Sequence, residues 1–207
     1  VTIYNNYKDS NGVYVPGASC SGNNNTTVDP NADNQDSIGC ASGTTVVENS
    51  ITGHIDGKPK QIKTCSSAGF TVNSQVSGQV LEMVTAMKQA GLSPGGGAFR
   101  SLQEQINLYT KKCQDQGKTP SPGPFPDPEY SKSDTTANEQ QVRAGRAARG
   151  CTGVADPGYS NHEMGFAIDF TCNGVLIPMS YESAKNNDCF KWLVANASNM
   201  VFMNIDR

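Results

Sequence analysis

Hydrophobic positions in this chain fall into two different periods, and the switch between them marks the elements. Residues 44–65 alternate in the manner of strands, with Ile51 and Ile55 before an Asp56-Gly57 turn signal and Ile62 after it, which predicts a β-hairpin. At Asn73-Ser74 the period changes. Val76, Val80, Met83, Val84 and Met87 recur at helical spacing until Gly91, which predicts a helix with that stripe in the core. Gly95-Gly96-Gly97 leads into a short strand ending at Arg100. Ser101 and Glu104 form a Ser-x-x-Glu capping box, and the following helix carries Leu102, Ile106, Tyr109 and Cys113 on one face.

Further along, residues 165–170 read as a strand. Phe166, Ile168 and Phe170 share its core face, while Gly165, Ala167 and Asp169 share a face that is nearly bare except for the carboxylate. Gly174-Val175-Leu176-Ile177 predicts a hairpin partner for it. A last helix begins near Asp188 and carries Phe190, Leu193, Val194 and Ala197, with Trp192 placed either as a core plug or as a cleft wall. Residues 200–204 read as the start of another strand. Residues 119–128 are a Pro-dense stiff loop, and 137–149 a polar helix whose Arg143, Arg146 and Arg149 default to a solvated face. Residues 1–39, rich in Asn, Gly, Ser and Asp, read as an irregular arm, in which Tyr4, Tyr7, Val13, Tyr14 and Val15 are the residues able to add a strand.

Composition narrows the setting. The 207 residues give one domain with a real core plus an appendage. A formal net charge of -3 and only 17% charged residues offer no footprint for nucleic acid. No run approaches the length of a transmembrane helix. The chain opens with Val1 and shows no signal-peptide pattern, so it reads as a processed or partial chain. Seven cysteines without a Cys-x-x-Cys pair argue for disulfides in an oxidising compartment, hence a secreted, extracellular or cell-wall-associated protein. The pairing we expect is Cys40–Cys65 stapling the hairpin, Cys113–Cys151 closing the Pro-rich excursion, and Cys172–Cys189 tying the 165–170 strand to the last helix; spacing alone does not fix connectivity. Cys20 is then left unpaired or joined to an extracellular partner, which the arm 1–39 would also serve. The Asn-x-Ser/Thr strings at Asn24, Asn25 and Asn196 read as polar loop residues.

Candidate chemistry centres on Gly158-Tyr159-Ser160-Asn161-His162-Glu163-Met164-Gly165-Phe166-Ala167-Ile168-Asp169, which sets an imidazole and a carboxylate beside a bare strand face. Both are ordinary zinc ligands. The Ser-x-His-x-x-Gly-x-Ala-x-Asp string resembles the zinc-binding motif of the D-alanyl-D-alanine carboxypeptidase family, the LAS-type peptidases. Upstream, Gly95-Gly96-Gly97-Ala98-Phe99-Arg100-Ser101-Leu102-Gln103-Glu104-Gln105 resembles that family's Gly-Tyr-Arg-Ser-x-x-x-x-Gln segment, with Phe99 in place of Tyr. The resemblance covers roughly residues 40–207, taken as the carboxypeptidase-like domain. It implies a disulfide-stapled α+β fold of the LAS/hedgehog type, with a small, mostly antiparallel sheet and helices on one side. It further implies zinc held by His162 and Asp169, Arg100 facing the oxyanion, and Ser160 and Gln105 touching a peptidoglycan stem peptide cut near D-alanine.

The same resemblance exposes a gap. In the family a Glu-x-x-His segment after the last helix supplies the third zinc ligand and the general base, and this sequence stops at Arg207 where that segment is expected to begin. Its only histidines are His54 and His162, and His54 sits by the predicted hairpin turn, far upstream. Glu163, next to a ligand, is expected to point away from His162 as a solvated loop carboxylate. The zinc site is therefore incomplete in these residues. A truncated or partly represented enzyme is the favoured explanation. The alternative is a non-catalytic extracellular binding or structural module on a peptidase fold.

Overall fold

The computed structural model describes residues 39–55, 57–120, 125, 151–178 and 180–196, together with a short antiparallel pairing of β1 (Tyr7–Lys8) with β2 (Tyr14–Val15). Cys20, residues 137–149, residues 200–204 and most of 119–128 lie outside the described residues.

The expected hairpin is present as β3 (Thr45–Ile55) and β4 (Lys58–Ser67), turning at Gly57, and β5 (Phe70–Asn73) continues it into a three-stranded antiparallel sheet. Lysines and Gln61 of β4 face outward, whereas Ile62, Thr64 and Cys65 are buried. Cys65 bonds Cys40, so the chain entering the domain is fastened to the middle strand of this sheet.

Asn73 ends β5 and starts the next element. Its Oδ1 accepts from Gln75 N at 3.0 Å, opening a short 3-10 turn (Ser74–Val76) that runs into α1 (Ser77–Gln89). The predicted stripe of Val76, Val80, Met83, Val84 and Met87 is buried throughout. Gly91, at φ 78°, closes the helix.

A second antiparallel sheet follows. β6 (Pro94–Gly97) pairs with β7 (Asp169–Cys172), and β7 with β8 (Val175–Leu176). The α+β class is as expected, but the small sheet is split into two three-stranded sheets rather than one. They meet through Phe99 N donating to Thr71 O at 2.8 Å, and through Phe70 and Phe170, whose rings stand edge to face at 5.4 Å. α1 and α4 (Asp188–Asn196) complete this core with Phe190 and Leu193, Trp192 packs on it half-buried, and α3 (Tyr181–Ala184) contributes Ala184. Cys172–Cys189 ties β7 to α4 as expected.

α2 (Leu102–Asp115) starts on the predicted capping box of Ser101 and Glu104. Its buried stripe differs from the expected one: Gln105, Tyr109 and Cys113 are buried, while Leu102 and Ile106 are half-buried. Tyr109 and Cys113 form a small satellite cluster with Cys151, Phe125 and Val154, and Cys113–Cys151 is the expected bond. Gln105 takes the third place on that stripe because its amide is fully engaged below the site. Among the described residues no helix is long and apolar enough to cross a membrane.

Candidate metal centre

The strand expected over 165–170 begins later. Asn161–Met164 is a 3-10 turn, Gly165 closes it in the left-handed conformation at φ 69°, and β7 starts only at Asp169. Gly165 is therefore not a bare patch on a strand face. A Cβ there would stand 2.6 Å from Asn73 N, because this backbone is pressed against the end of β5. Asn73 N donates to Gly165 O at 3.1 Å and Asn73 Nδ2 to Met164 O at 3.0 Å. Of the predicted alternation, Ile168 and Phe170 are in the core, but Ala167 is buried as well.

This turn presents His162. Its carbonyl accepts from Arg100 N at 3.0 Å, and its Nδ1 lies 2.7 Å from Ala98 O. A carbonyl oxygen only accepts, so Nδ1 carries the proton of that bond, and Nε2 is the ring nitrogen turned outward. Nε2 stands 3.4 Å from Asp169 Oδ2. Asp169, paired across the sheet with Gly97, brings its half-exposed carboxylate to the same point.

Arg100 closes the other side. Its Nη2 is 2.9 Å from Asp169 Oδ2, and its Nη1 donates to Gln105 Oε1 at 2.8 Å. Gln105 Nε2 in turn donates to Ala155 O at 2.7 Å. The His162 ring beside it, and then the Arg100 guanidinium, hold the Asp169 carboxyl down at about 2 despite its partial burial.

These atoms fit a zinc ion. Zinc bonds of about 2.0–2.2 Å at a tetrahedral angle place two ligand atoms roughly 3.4 Å apart, which is the separation of His162 Nε2 and Asp169 Oδ2. A bond from Nδ1 to a backbone carbonyl is what usually orients a metal-binding imidazole. Among the described residues no third His, Cys, Asp or Glu joins the pair. His54 does not; it is buried on the far side of the turn, 3.8 Å from Glu163.

Of the other expected site residues, Ser160 and Gln105 are held away from solvent. Ser160 is 5% exposed and its Oγ caps His162 N, the alternative role open to a serine in a turn. Gln105 is 1% exposed and stands behind Arg100. Glu163 points away from His162 as expected, but it is not solvated. It is 1% exposed, and its Oε2 accepts from Gly158 N at 2.9 Å and Ser160 N at 3.2 Å. Burial pushes its carboxyl up to about 7 against the pull of those donors. The Ser160-x-x-Glu163 spacing is itself a capping box and carried that signal. The roles of Ala98 O and Asn73 had no sequence signal, since one is a backbone atom and the other lies far upstream.

An α+β domain that sets an oriented imidazole and a carboxylate at zinc-ligand separation holds two of the ligands that a metal centre needs. The chain belongs to the D-alanyl-D-alanine carboxypeptidase family: the VanY family model matches residues 69–204, well over half of it, and both sequence motifs fall inside. Two solved structures are similar. A mutant of the vancomycin-resistance D,D-pentapeptidase VanY from the VanB-type cassette, in complex with Zn(II), shares 20% identity at a TM-score of 0.39, covering 65% of this chain and 61% of that one. VanYB in complex with D-alanine-D-alanine shares 18% identity at a TM-score of 0.42, covering 68% of this chain and 64% of that one. The chain thus spans less than two thirds of the length of either. No curated protein matches.

Proposed function

We propose that this chain is a zinc-dependent carboxypeptidase domain acting on peptidoglycan stem peptides next to D-alanine. One observation carries the reading: His162 Nε2 and Asp169 Oδ2 stand 3.4 Å apart, with the imidazole locked by Ala98 O. Membership of the D-alanyl-D-alanine carboxypeptidase family supports the reaction class and the D-alanine preference.

His162 and Asp169 would hold the zinc, which when bound makes its water acidic and polarises the scissile carbonyl. Nδ1 donation to Ala98 O fixes the tautomer that leaves Nε2 free to bind. Arg100 offers its guanidinium to the anionic oxygen of the tetrahedral intermediate. Gln105 keeps Arg100 there, being bonded to it on one side and to Ala155 O on the other. Ser160 acts through the turn, by capping His162 N. The third ligand and the proton-accepting carboxylate are supplied from outside the described cluster. Three disulfides support a secreted or wall-associated location.

The test is zinc content and D-alanine release from a D-alanyl-D-alanine-terminated stem peptide, measured on the full protein. We expect stoichiometric zinc and release of the terminal residue, both lost in Asp169→Ala. Full zinc retention by Asp169→Ala would remove the carboxylate from the metal centre and the proposal with it.

A further inference from the structure

The turn carrying His162 is backed by the β3–β4 hairpin, which lies outside residues 69–204 that match the family. Three contacts join them. Gly57 N donates to Gly158 O at 2.9 Å. Gly53 lies so close that a Cβ on it would stand 2.5 Å from Glu163 O and 3.0 Å from Met164 Sδ. Beside Gly53, His54 directs Nδ1 at Glu163 Oε1 across 3.8 Å.

The third contact is unfinished. His54 is 8% exposed and Glu163 1%, and neither Nδ1 nor Oε1 has a hydrogen-bond partner among the described residues. A separation of 3.8 Å exceeds a hydrogen bond, yet it is too short for a water to bridge at about 2.8 Å from each atom with ordinary angles. Buried polar atoms in folded proteins are paired almost without exception. Each of these two has the other as its nearest complement, and a small side-chain shift joins them. The other Glu163 oxygen already holds Gly158 N and Ser160 N, so fixing this carboxylate fixes the approach to His162.

We propose that His54 and Glu163 form a buried hydrogen-bonded pair through which the β3–β4 hairpin fixes the turn presenting His162, making His54 a positioning residue of the metal centre. The consequence for metal rests on the zinc reading above; the pair itself does not.

Amide hydrogen exchange with His54→Ala tests it without metal. Exchange at Gly158, Ser160 and Arg100 should quicken at least about tenfold, while Val84 in α1 and Leu193 in α4 keep wild-type protection. His54→Asn, whose amide nitrogen falls near the place of Nδ1, should restore most of the protection. Unchanged exchange at Gly158 and Ser160, or a rise shared equally by Val84, overturns the proposal. Should His54→Ala not fold, nitrogen-15 NMR of the wild-type imidazole in mildly alkaline solution, with Glu163 ionised, decides: a hydrogen-bonded proton at His54 Nδ1 supports the pair, and its absence refutes it. Cobalt(II) titration, read by its visible spectrum, gives the metal arm, where His54→Ala should weaken binding about tenfold. Wild-type protein that takes up no cobalt counts against the zinc reading, while the exchange and NMR results still decide the pair.

Discussion

Arg100 and His162 converge on a single oxygen. Asp169 Oδ2 lies 2.9 Å from Arg100 Nη2 and 3.4 Å from His162 Nε2, so a fixed cation and a ligand-ready nitrogen flank one carboxylate oxygen. The arrangement separates two functions that a paired carboxylate alone would merge, and they are separable by mutation.

Arg100→Ala removes the guanidinium but neither metal-binding atom. Zinc content should stay at the wild-type level while turnover falls about 10²–10³-fold, the usual loss of an oxyanion donor. The melting temperature should fall modestly, because the buried Gln105 Oε1 loses its donor, whereas the partly open Arg100–Asp169 pair contributes little. Zinc analysis, steady-state kinetics and a thermal melt check the three together. Unchanged turnover removes Arg100 from the chemistry.

Gln105→Leu should act on stability and turnover at once. It keeps the volume of a buried side chain but leaves Ala155 O and Arg100 Nη1 without their partner. A buried polar group left unmatched costs about 1–3 kcal/mol. For a chain of this size that lowers the melting temperature by about 2–4 °C per kcal/mol. Because Arg100 loses its anchor, kcat should fall with little change in zinc content.

Glu163 gives a pH signature of definite sign. Its carboxyl is raised from 4.5 to about 7 in the folded protein, chiefly by burial. Between those values the folded state holds a proton that the unfolded chain has released, so this group's contribution to stability falls as pH rises. His54 works in the opposite direction, because burial pulls its imidazole below 6.5. Comparison with Glu163→Gln isolates the carboxylate. The urea midpoint of the wild type, less that of the variant, should decline steadily from pH 4.5 to 7. A difference that is flat across this range places the Glu163 proton elsewhere.

Elements whose hydrophobic period was clean were readable in the chain. The α1 stripe, the hairpin around Gly57 and the Ser101 capping box rest on local chemistry that no distant residue overrides. The three expected cysteine pairs are the ones formed, although spacing alone did not fix them. The 165–170 strand was misjudged since its alternation is compatible with an extended approach as well as with a ladder. Gly165 breaks the ladder, being needed in the left-handed region against Asn73. Gln105 was expected to touch substrate, and Glu163 to be a solvated loop carboxylate, yet both are buried. Each is buried by partners absent from its own sequence neighbourhood or supplied by the main chain, namely Arg100 and Ala155 O for one, Gly158 N and Ser160 N for the other. The site pair His162 and Asp169 came from the motif, but the carbonyl that aims the imidazole belongs to Ala98, where any residue would serve.

The bond between Cys113 at the end of α2 and Cys151 closes the intervening stretch into a covalent loop upstream of Ser160. A protease cutting the backbone once anywhere inside that loop would leave both halves tethered, with α2 and the His162 turn still in one molecule. The nicked protein would run as two bands only after reduction.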